Sequence, residues 1–224
     1  MRVRNFCAGP ATIPDPVLEE VKSELLDWGS SGMSIMEMSH RSSIFNEVAF
    51  NAKNDFIELL KVPQDYDVLF LQGGATHQFS MVPMNFSSIN QSADYLLSGT
   101  WSKLAISEAS KLSNINIVAS SEENNFSHVP DIKLWNLDSK AKYFHYAPNE
   151  TIQGVALHKA PEINSSIVAD MSSVILSEPI DISKFSLIYA GAQKNIGPAG
   201  LTMVIINKEM FEKENNDIPD ILRY

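Results

Sequence analysis

The 224-residue sequence predicts an α/β fold: a mainly parallel, seven-stranded sheet flanked by helices. Short apolar runs recur from Val68 to Ile206, seven in all, each bounded by polar or turn-forming residues. The early runs alternate with stretches of helical periodicity, the pattern of strand–helix–strand crossovers. The chemically distinctive residues then fall just after runs: Gly74, Trp101, Thr151, Asp170 and Lys194. Sheets of this class place ligands beyond the carboxyl ends of their strands.

Taken in order, Asn5 to Pro14 is irregular, with Gly9-Pro10 marking a turn. Asp15 reads as an N-cap with Pro16 at the first helical position. Val17, Leu18, Val21, Leu25 and Trp28 then recur at helical spacing, so Pro16 to Asp27 is expected as an amphipathic helix ended by Gly29-Ser30-Ser31-Gly32. Met33 to Ser42 shows no periodicity. Ser42 or Ser43 caps a second helix with the apolar face Phe45, Val48, Ala49, Ala52, Phe56, Leu59 and Leu60. His40 and Arg41 precede its N-terminus, where backbone amides favour anions; the plain alternative is a solvated loop.

Val68-Leu69-Phe70-Leu71 is the first buried strand, followed by Gln72-Gly73-Gly74-Ala75-Thr76 and a helix running toward Asn85. A strand, a glycine pair and a helix start form a cradle for phosphate, because glycines permit close approach and free N–H groups face the anion. A simple tight turn is the alternative, and Thr76 is a cap, a phosphate ligand or both. Tyr95 to Ser98 is the next strand; Trp101 follows it, as a ligand contact or a core residue. Ile115 to Ala119, Tyr143 to Tyr146, Ile167 to Ala169, Leu187 to Ala190 and Leu201 to Ile206 complete the set. Residues from Glu209 onward form a polar tail with a break at Asn215-Asn216-Asp217.

Composition narrows the function. Hydrophobic content of 44% and charged content of 20% are those of an ordinary globular protein. A net charge of −10 argues against a general nucleic-acid or membrane-surface role. With no apolar run near the length of a membrane span, no secretory leader in Met1 to Cys7 and a single cysteine, a cytoplasmic protein is expected. Cys7 is expected to be a small packed residue rather than a nucleophile.

The chemistry centres on Lys194. Gly191, Ala192, Gly197, Pro198 and Gly200 leave little bulk around it. A lysine that condenses with a carbonyl needs such a setting, since its ammonium must lose a proton and a flat partner must fit against the backbone. Asp170 ends another strand. An acid and a lysine at two strand ends are the pair that a pyridoxal phosphate site requires.

Gly191-Ala192-Gln193-Lys194-Asn195-Ile196-Gly197-Pro198-Ala199-Gly200 resembles the cofactor-lysine motif of the phosphoserine aminotransferase family. Met38-Ser39-His40-Arg41-Ser42, Leu71 to Thr76, Pro148-Asn149-Glu150-Thr151-Ile152 and Ala169-Asp170-Met171-Ser172-Ser173 extend the resemblance in collinear order along essentially the whole chain. It implies the large domain of a fold type I enzyme that uses pyridoxal 5'-phosphate. Lys194 then bonds the cofactor and moves the substrate proton. Asp170 holds the pyridine nitrogen protonated, and Trp101 stacks on the ring. Ala75, Thr76 and Gln193 bind the cofactor phosphate, Thr151 lies near the ring substituents, and Arg41 and His40 meet the substrate carboxylate and phosphate. No metal is expected.

The implied reaction passes the amino group of L-glutamate to 3-phosphohydroxypyruvate, giving O-phospho-L-serine and 2-oxoglutarate. A role in pyridoxal phosphate biosynthesis and a homodimer with sites at the subunit interface accompany it. On the resemblance, residues 1–15 are an arm, 16–208 the cofactor-binding domain, and 209–224 the start of a connection to a C-terminal domain that lies beyond Tyr224. That domain carries further His and Arg for the substrate phosphate, and an Asn-Thr pair reaches the partner's cofactor. Where some members have a basic residue, this chain has Thr76, with His77 following. The alternative expectation is therefore a cofactor-binding, dimer-forming fragment with little turnover. A desulfurase of the same fold needs a mobile cysteine loop that Cys7 does not provide.

Overall fold

The computed structural model describes residues 2–213, 215 and 217–224. Its centre is a seven-stranded sheet in the order β1-β9-β8-β7-β4-β2-β3. These strands are β1 (Tyr66–Gln72), β2 (Ser92–Leu97), β3 (Asn114–Ser120), β4 (Phe144–Tyr146), β7 (Ile167–Asp170), β8 (Leu187–Gly191) and β9 (Leu201–Asn207). The remaining two, β5 (Asn149–Glu150) and β6 (Val155–Ala156), form a separate antiparallel hairpin. The pairs β2–β3, β2–β4, β4–β7 and β7–β8 are parallel, and β9 runs antiparallel to both β8 and β1. The expected seven-stranded, mainly parallel sheet is the one observed.

Helices cover both faces, which is why the central strands β2, β4, β7 and β8 read as continuous apolar runs rather than alternating ones. α1 (Asp15–Glu24) and α2 (Ser43–Leu60) precede the sheet, while α3 (Gly74–Phe86) and α4 (Thr100–Ala109) are crossovers. Phe56 and Leu60 of α2 pack with Phe144, Tyr146, Ala169, Ile188 and Ile205 on one face. On the other, Phe79, Val82 and Phe86 of α3 and Ala105 and Ala109 of α4 meet Tyr95, Val168, Leu187, Tyr189 and Val204. Successive residues of one strand, such as Ile188 and Tyr189, thus enter opposite cores, as a period of two requires.

Several local expectations change. Pro14, not Asp15, occupies the N-cap position of α1, and the helix ends at Glu24. Asp15 instead pairs with Arg2, and Pro16 in the first turn costs no bond because its missing N–H has no intrahelical partner. None of α1 is buried, and on α2 Leu59 is 68% exposed. Ser42 does cap α2, accepting from Phe45 N at 3.2 Å. The aperiodic stretch contains a short 3-10 turn, Ile35–Glu37, closed by a reciprocal Ser34–Glu37 capping box. Cys7 is exposed rather than packed, because the arm runs along the surface.

The polar tail folds back on α3. Tyr224 stacks on Phe86 at 5.5 Å between ring centroids, and its hydroxyl donates to Gln78 Oε1 at 2.6 Å. The expected break at Asn215-Asn216-Asp217 includes Asn216, which lies outside the described residues. Among the described residues, no helix is long and apolar enough to cross a membrane.

Candidate active site

The carboxyl ends of β1, β2, β7 and β8 converge on a cavity of about 360 Å³. The turn between β8 and β9 forms one wall and presents Gln193 and Lys194. Backbone bonds fix that turn: Ala192 N donates to Leu201 O at 2.9 Å, and Ile196 N and Gly197 N donate to Ala192 O. Gly200 O accepts from Gly73 N at 3.1 Å, tying the lysine turn to the start of α3.

Lys194 is half-buried. Burial holds its ammonium below the usual lysine range, against the opposing pull of Asp170 and Glu150. Its Nζ donates to Thr151 Oγ1 at 2.5 Å and stands 5.4 Å from the centroid of the Trp101 ring. Gly9 of the arm lies on its aliphatic stem, where a Cβ would approach Lys194 Cγ to 3.1 Å.

Asp170, at the end of β7, is 7% exposed. Burial raises its carboxyl above the ordinary range; two bonds from Ser172 and the charge of Lys194 pull it back. Ser172 N and Oγ both donate to Asp170 Oδ1, at 3.1 and 2.6 Å, and Ser172 Oγ also accepts from Gly191 N at 3.0 Å. One serine thereby links the acid to the strand that carries the lysine. Among the described residues, Asp170 Oδ2 accepts no hydrogen bond.

At the opposite wall α3 begins with no side-chain cap, since its N-cap is Gly73 at φ 99°. A side chain is excluded there twice: the backbone is left-handed, and a Cβ would come 2.3 Å from the His77 ring. Thr76 therefore does not act as the cap, although it lines the cavity with Gly74, Ala75 and Phe79. A helix start with its first amides free of side-chain bonds favours an anion.

Ala75, Thr76, Trp101, Asp170, Gln193 and Lys194 of the expected set line the cavity, and Thr151 reaches it through Lys194. His40 and Arg41 do not; both are exposed on the turn before α2 and no contact brings them to the cavity. Their expected helix-start amides are already served in part by Ser42. Gly9, Pro10, Asn149, Ser172 and Ser173 also line the site or support it without having been singled out for a role. The -Ser-Ser- after Asp170 was the signal available for two of them.

Beneath Asp170 lies a buried ring cluster that the apolar strands concealed. His145 Nε2 bonds the Tyr189 hydroxyl at 2.8 Å, and its ring stacks on Tyr95 at 4.7 Å. Burial lowers the imidazole to about 3. Tyr189 is the register partner of Asp170 across β7 and β8.

With one reversed strand, β9, a lysine on the turn that leads into it from β8, and a buried acid ending β7, the parallel neighbour of β8, the sheet brings together the acid–lysine pair that a pyridoxal phosphate site requires. The sequence pattern described as aminotransferase class-V matches residues 3–216, and the chain belongs to that family. Phosphoserine aminotransferase from Acinetobacter baylyi is 50% identical over 225 residues, covering 100% of this chain and 63% of its own. Two solved phosphoserine aminotransferases superpose closely. One, studied for radiation damage of its Schiff base, has a TM-score of 0.96 at 44% identity, covering 100% of this chain and 62% of its own. The other, a PLP-bound enzyme from Trichomonas vaginalis, has 0.94 at 40%, covering 99% and 62%. The chain thus spans about 63% of the length of the curated relative it matches.

Proposed function

We propose that the protein binds pyridoxal 5'-phosphate at Lys194 and, as part of a full-length homodimeric enzyme, transfers the amino group of L-glutamate to 3-phosphohydroxypyruvate. The observation that carries this reading is the convergence of Lys194, Asp170, Trp101 and the uncapped start of α3 on one cavity. Residues 16–208 make up the cofactor-binding unit, preceded by the arm and followed by the connection to a C-terminal domain. Similarity at 50% identity to a phosphoserine aminotransferase supports the choice of substrates.

The residues suit the group. The cavity, about 360 Å³, has the dimensions of a small-molecule site. A phosphate fits the amides at Gly74 to Thr76, a flat ring fits against Trp101, and the unengaged Oδ2 of Asp170 suits a protonated ring nitrogen. A cation placed there favours the ionised carboxylate, against the burial that raises it.

When bound, the pyridine ring supplies a sink for the electron pair left at the substrate Cα. Lys194, its ammonium already destabilised by burial, gives up a proton more readily than an ordinary lysine and can take the Cα proton as general base. Thr151 accepts from its Nζ and so limits where that nitrogen can stand. Asp170, oriented through Oδ1 by Ser172, holds a proton at the ring nitrogen through Oδ2. Trp101, which lines the cavity beside Lys194, would lie against the face of the ring and shield it from water.

Two measurements test the reading. Borohydride reduction after incubation with pyridoxal phosphate is expected to label Lys194, read by peptide mass spectrometry; a label elsewhere overturns it. Glutamate-dependent conversion of 3-phosphohydroxypyruvate by the full-length enzyme is the expected activity. A second reading, a cofactor-holding unit with little turnover by itself, is supported by His40 and Arg41, which stand exposed and away from the cavity. Robust turnover by the 224-residue chain sinks that second reading.

A further inference from the structure

A second carboxylate, Glu150, is buried close to the cavity at 1% exposure, and the resemblance gave it no task. It is the last residue of the two-residue strand β5, and its side chain crosses to the start of α4. Oε2 accepts from Trp101 N at 2.8 Å and Oε1 from Ser102 N at 2.9 Å. Bonds from backbone amides at a helix start to a charged acceptor are among the stronger ones, and they satisfy donors that the helix cannot. α4 has no capping side chain of its own for these amides, because its N-cap is Gly99. That glycine also permits the approach: a Cβ there would lie 2.5 Å from Glu150 Cγ and Cδ.

The surrounding segment ties the site together. Gln153 completes the cap, accepting from Thr100 N at 3.1 Å and donating to Thr100 Oγ1 at 2.7 Å. Asn149 Nδ2 donates to Ser173 Oγ at 2.8 Å, in the turn after Asp170. Thr151 accepts from Lys194 Nζ. Residues 149–153 therefore bond, almost in succession, the acid's turn, the tryptophan's helix and the lysine.

We propose that Glu150 is a positioning residue: by holding the start of α4 against β5 it sets the Trp101 ring beside Lys194, whose nitrogen its neighbour Thr151 receives. The inference deepens the proposed function and rests on Lys194 being the cofactor lysine. Glu150 acts through Trp101; a stacking ring only orients a planar partner if its own plane is held.

The test compares the full chain with Glu150→Gln, Glu150→Ala and Gln153→Ala. Each is made in a Trp28→Phe, Trp135→Phe background, so that Trp101 alone emits. Without cofactor, Glu150→Gln is expected to speed amide exchange at Trp101 and Ser102 by roughly 10- to 100-fold, the factor for losing a hydrogen bond to a charged group. Acrylamide quenching of Trp101 is expected to rise about twofold as the helix start opens. Gln153→Ala should speed exchange at Thr100 and leave Trp101 quenching unchanged.

With pyridoxal phosphate reduced onto Lys194, the Gln variant is expected to carry the same label stoichiometry as wild type. The dichroism of the reduced pyridoxyl group, read in the near ultraviolet because reduction removes the visible imine band, should fall by about half or more, because the ring loses its fixed neighbour. Glu150→Gln keeps the side-chain shape and so carries the test if Glu150→Ala does not fold. Quenching and dichroism equal to wild type in the folded Glu150 variants overturn the proposal, even if exchange at the helix start rises. Absence of any label in the wild-type protein overturns the cofactor reading alone; the quenching comparison then still decides whether Glu150 sets Trp101.

Discussion

The sheet and the N-terminal segment carry equally clear apolar patterns and use them differently. In β8, every residue from Leu187 to Gly191 is buried, and the strand end delivers the lysine turn into the cavity. Along α1 and its C-cap residue, Val17, Val21 and Leu25 repeat at helical spacing, yet they are 46%, 54% and 40% exposed. Periodicity therefore reports which conformation a segment can adopt, while burial depends on what packs against it. Among the described residues, the segment touches the site where the chain is least regular, through Gly9 against Lys194, Pro10 in the cavity wall and Ala11 N donating to Gln193 O at 2.8 Å.

The sharpest way to separate the two regions is at their functional extreme. Lys194→Ala is expected to abolish borohydride labelling and to cut glutamate-dependent turnover of the full-length enzyme by at least about 10²- to 10⁴-fold, the scale of a lost acid–base group. Retained labelling at wild-type stoichiometry breaks the assignment. No single substitution in α1 is expected to approach this effect.

The next largest effect is a pH dependence confined to the sheet. The His145 imidazole is lowered from 6.5 to about 3 by burial. A histidine depressed in the folded state contributes stability that is present above its unfolded pKa and lost as pH falls toward the folded one. Between about pH 6.5 and 3 this group alone withdraws on the order of 5 kcal/mol. The buried Asp170 carboxyl, raised by the same desolvation, works in the opposite sense. The difference between wild type and His145→Phe isolates the imidazole: the variant should start less stable at neutral pH, because the Tyr189 hydroxyl loses its partner, and then fall less steeply on acidification. Parallel urea-derived stability curves from pH 7 to 4 would remove His145 from the argument.

Core packing comes third. Ile188 is fully buried between β7 and β9, so Ile188→Ala should cost roughly 2–5 kcal/mol in chemical denaturation. A cost below about 1 kcal/mol would mean that the sheet relaxes around the cavity and is not the rigid half of the comparison.

These contrasts show what was legible in the sequence. The central strands could be read because burial on both faces makes each one a continuous apolar run, whereas the edge strand β3, in which only Val118 is buried, was read from Ile115, Ile117 and Val118. Lys194, Asp170, Trp101 and the Gly73-Gly74 turn could be placed on one edge, because strand ends in a parallel sheet share an edge. The hairpin of β5 and β6 could not, since two residues per strand carry no periodicity. Glu150 and Ser172 escaped for a different reason. Their roles reside in bonds to Ser102 and Gly191, 48 and 19 residues away, and no local pattern encodes such a partner. His145 was hidden by its setting, a polar ring inside Tyr143-Phe144-His145-Tyr146 that pairs with another ring on a distant strand. Cys7 was misplaced because average burial of a residue type says nothing about a segment that itself lies on the surface.

The smallest expected effect is the most direct check on the N-terminal half. Val21 is 54% exposed on α1, a helix with no buried residue, so Val21→Ser removes little packing. Serine and valine have similar intrinsic helix propensities, which leaves the change within about 0.5 kcal/mol for this chain in dilute solution. Stability is measured at two protein concentrations about 50-fold apart, because any partner that covers the stripe by mass action makes the apparent stability concentration-dependent. A loss above about 1 kcal/mol that grows with concentration would show that α1 is covered in solution by a second copy, and the contrast with β8 would then hold only for the isolated chain. A small, concentration-independent change keeps the contrast. The same apolar periodicity would then be packing in the sheet and surface in α1, with the difference lying in the neighbours and not in the segment.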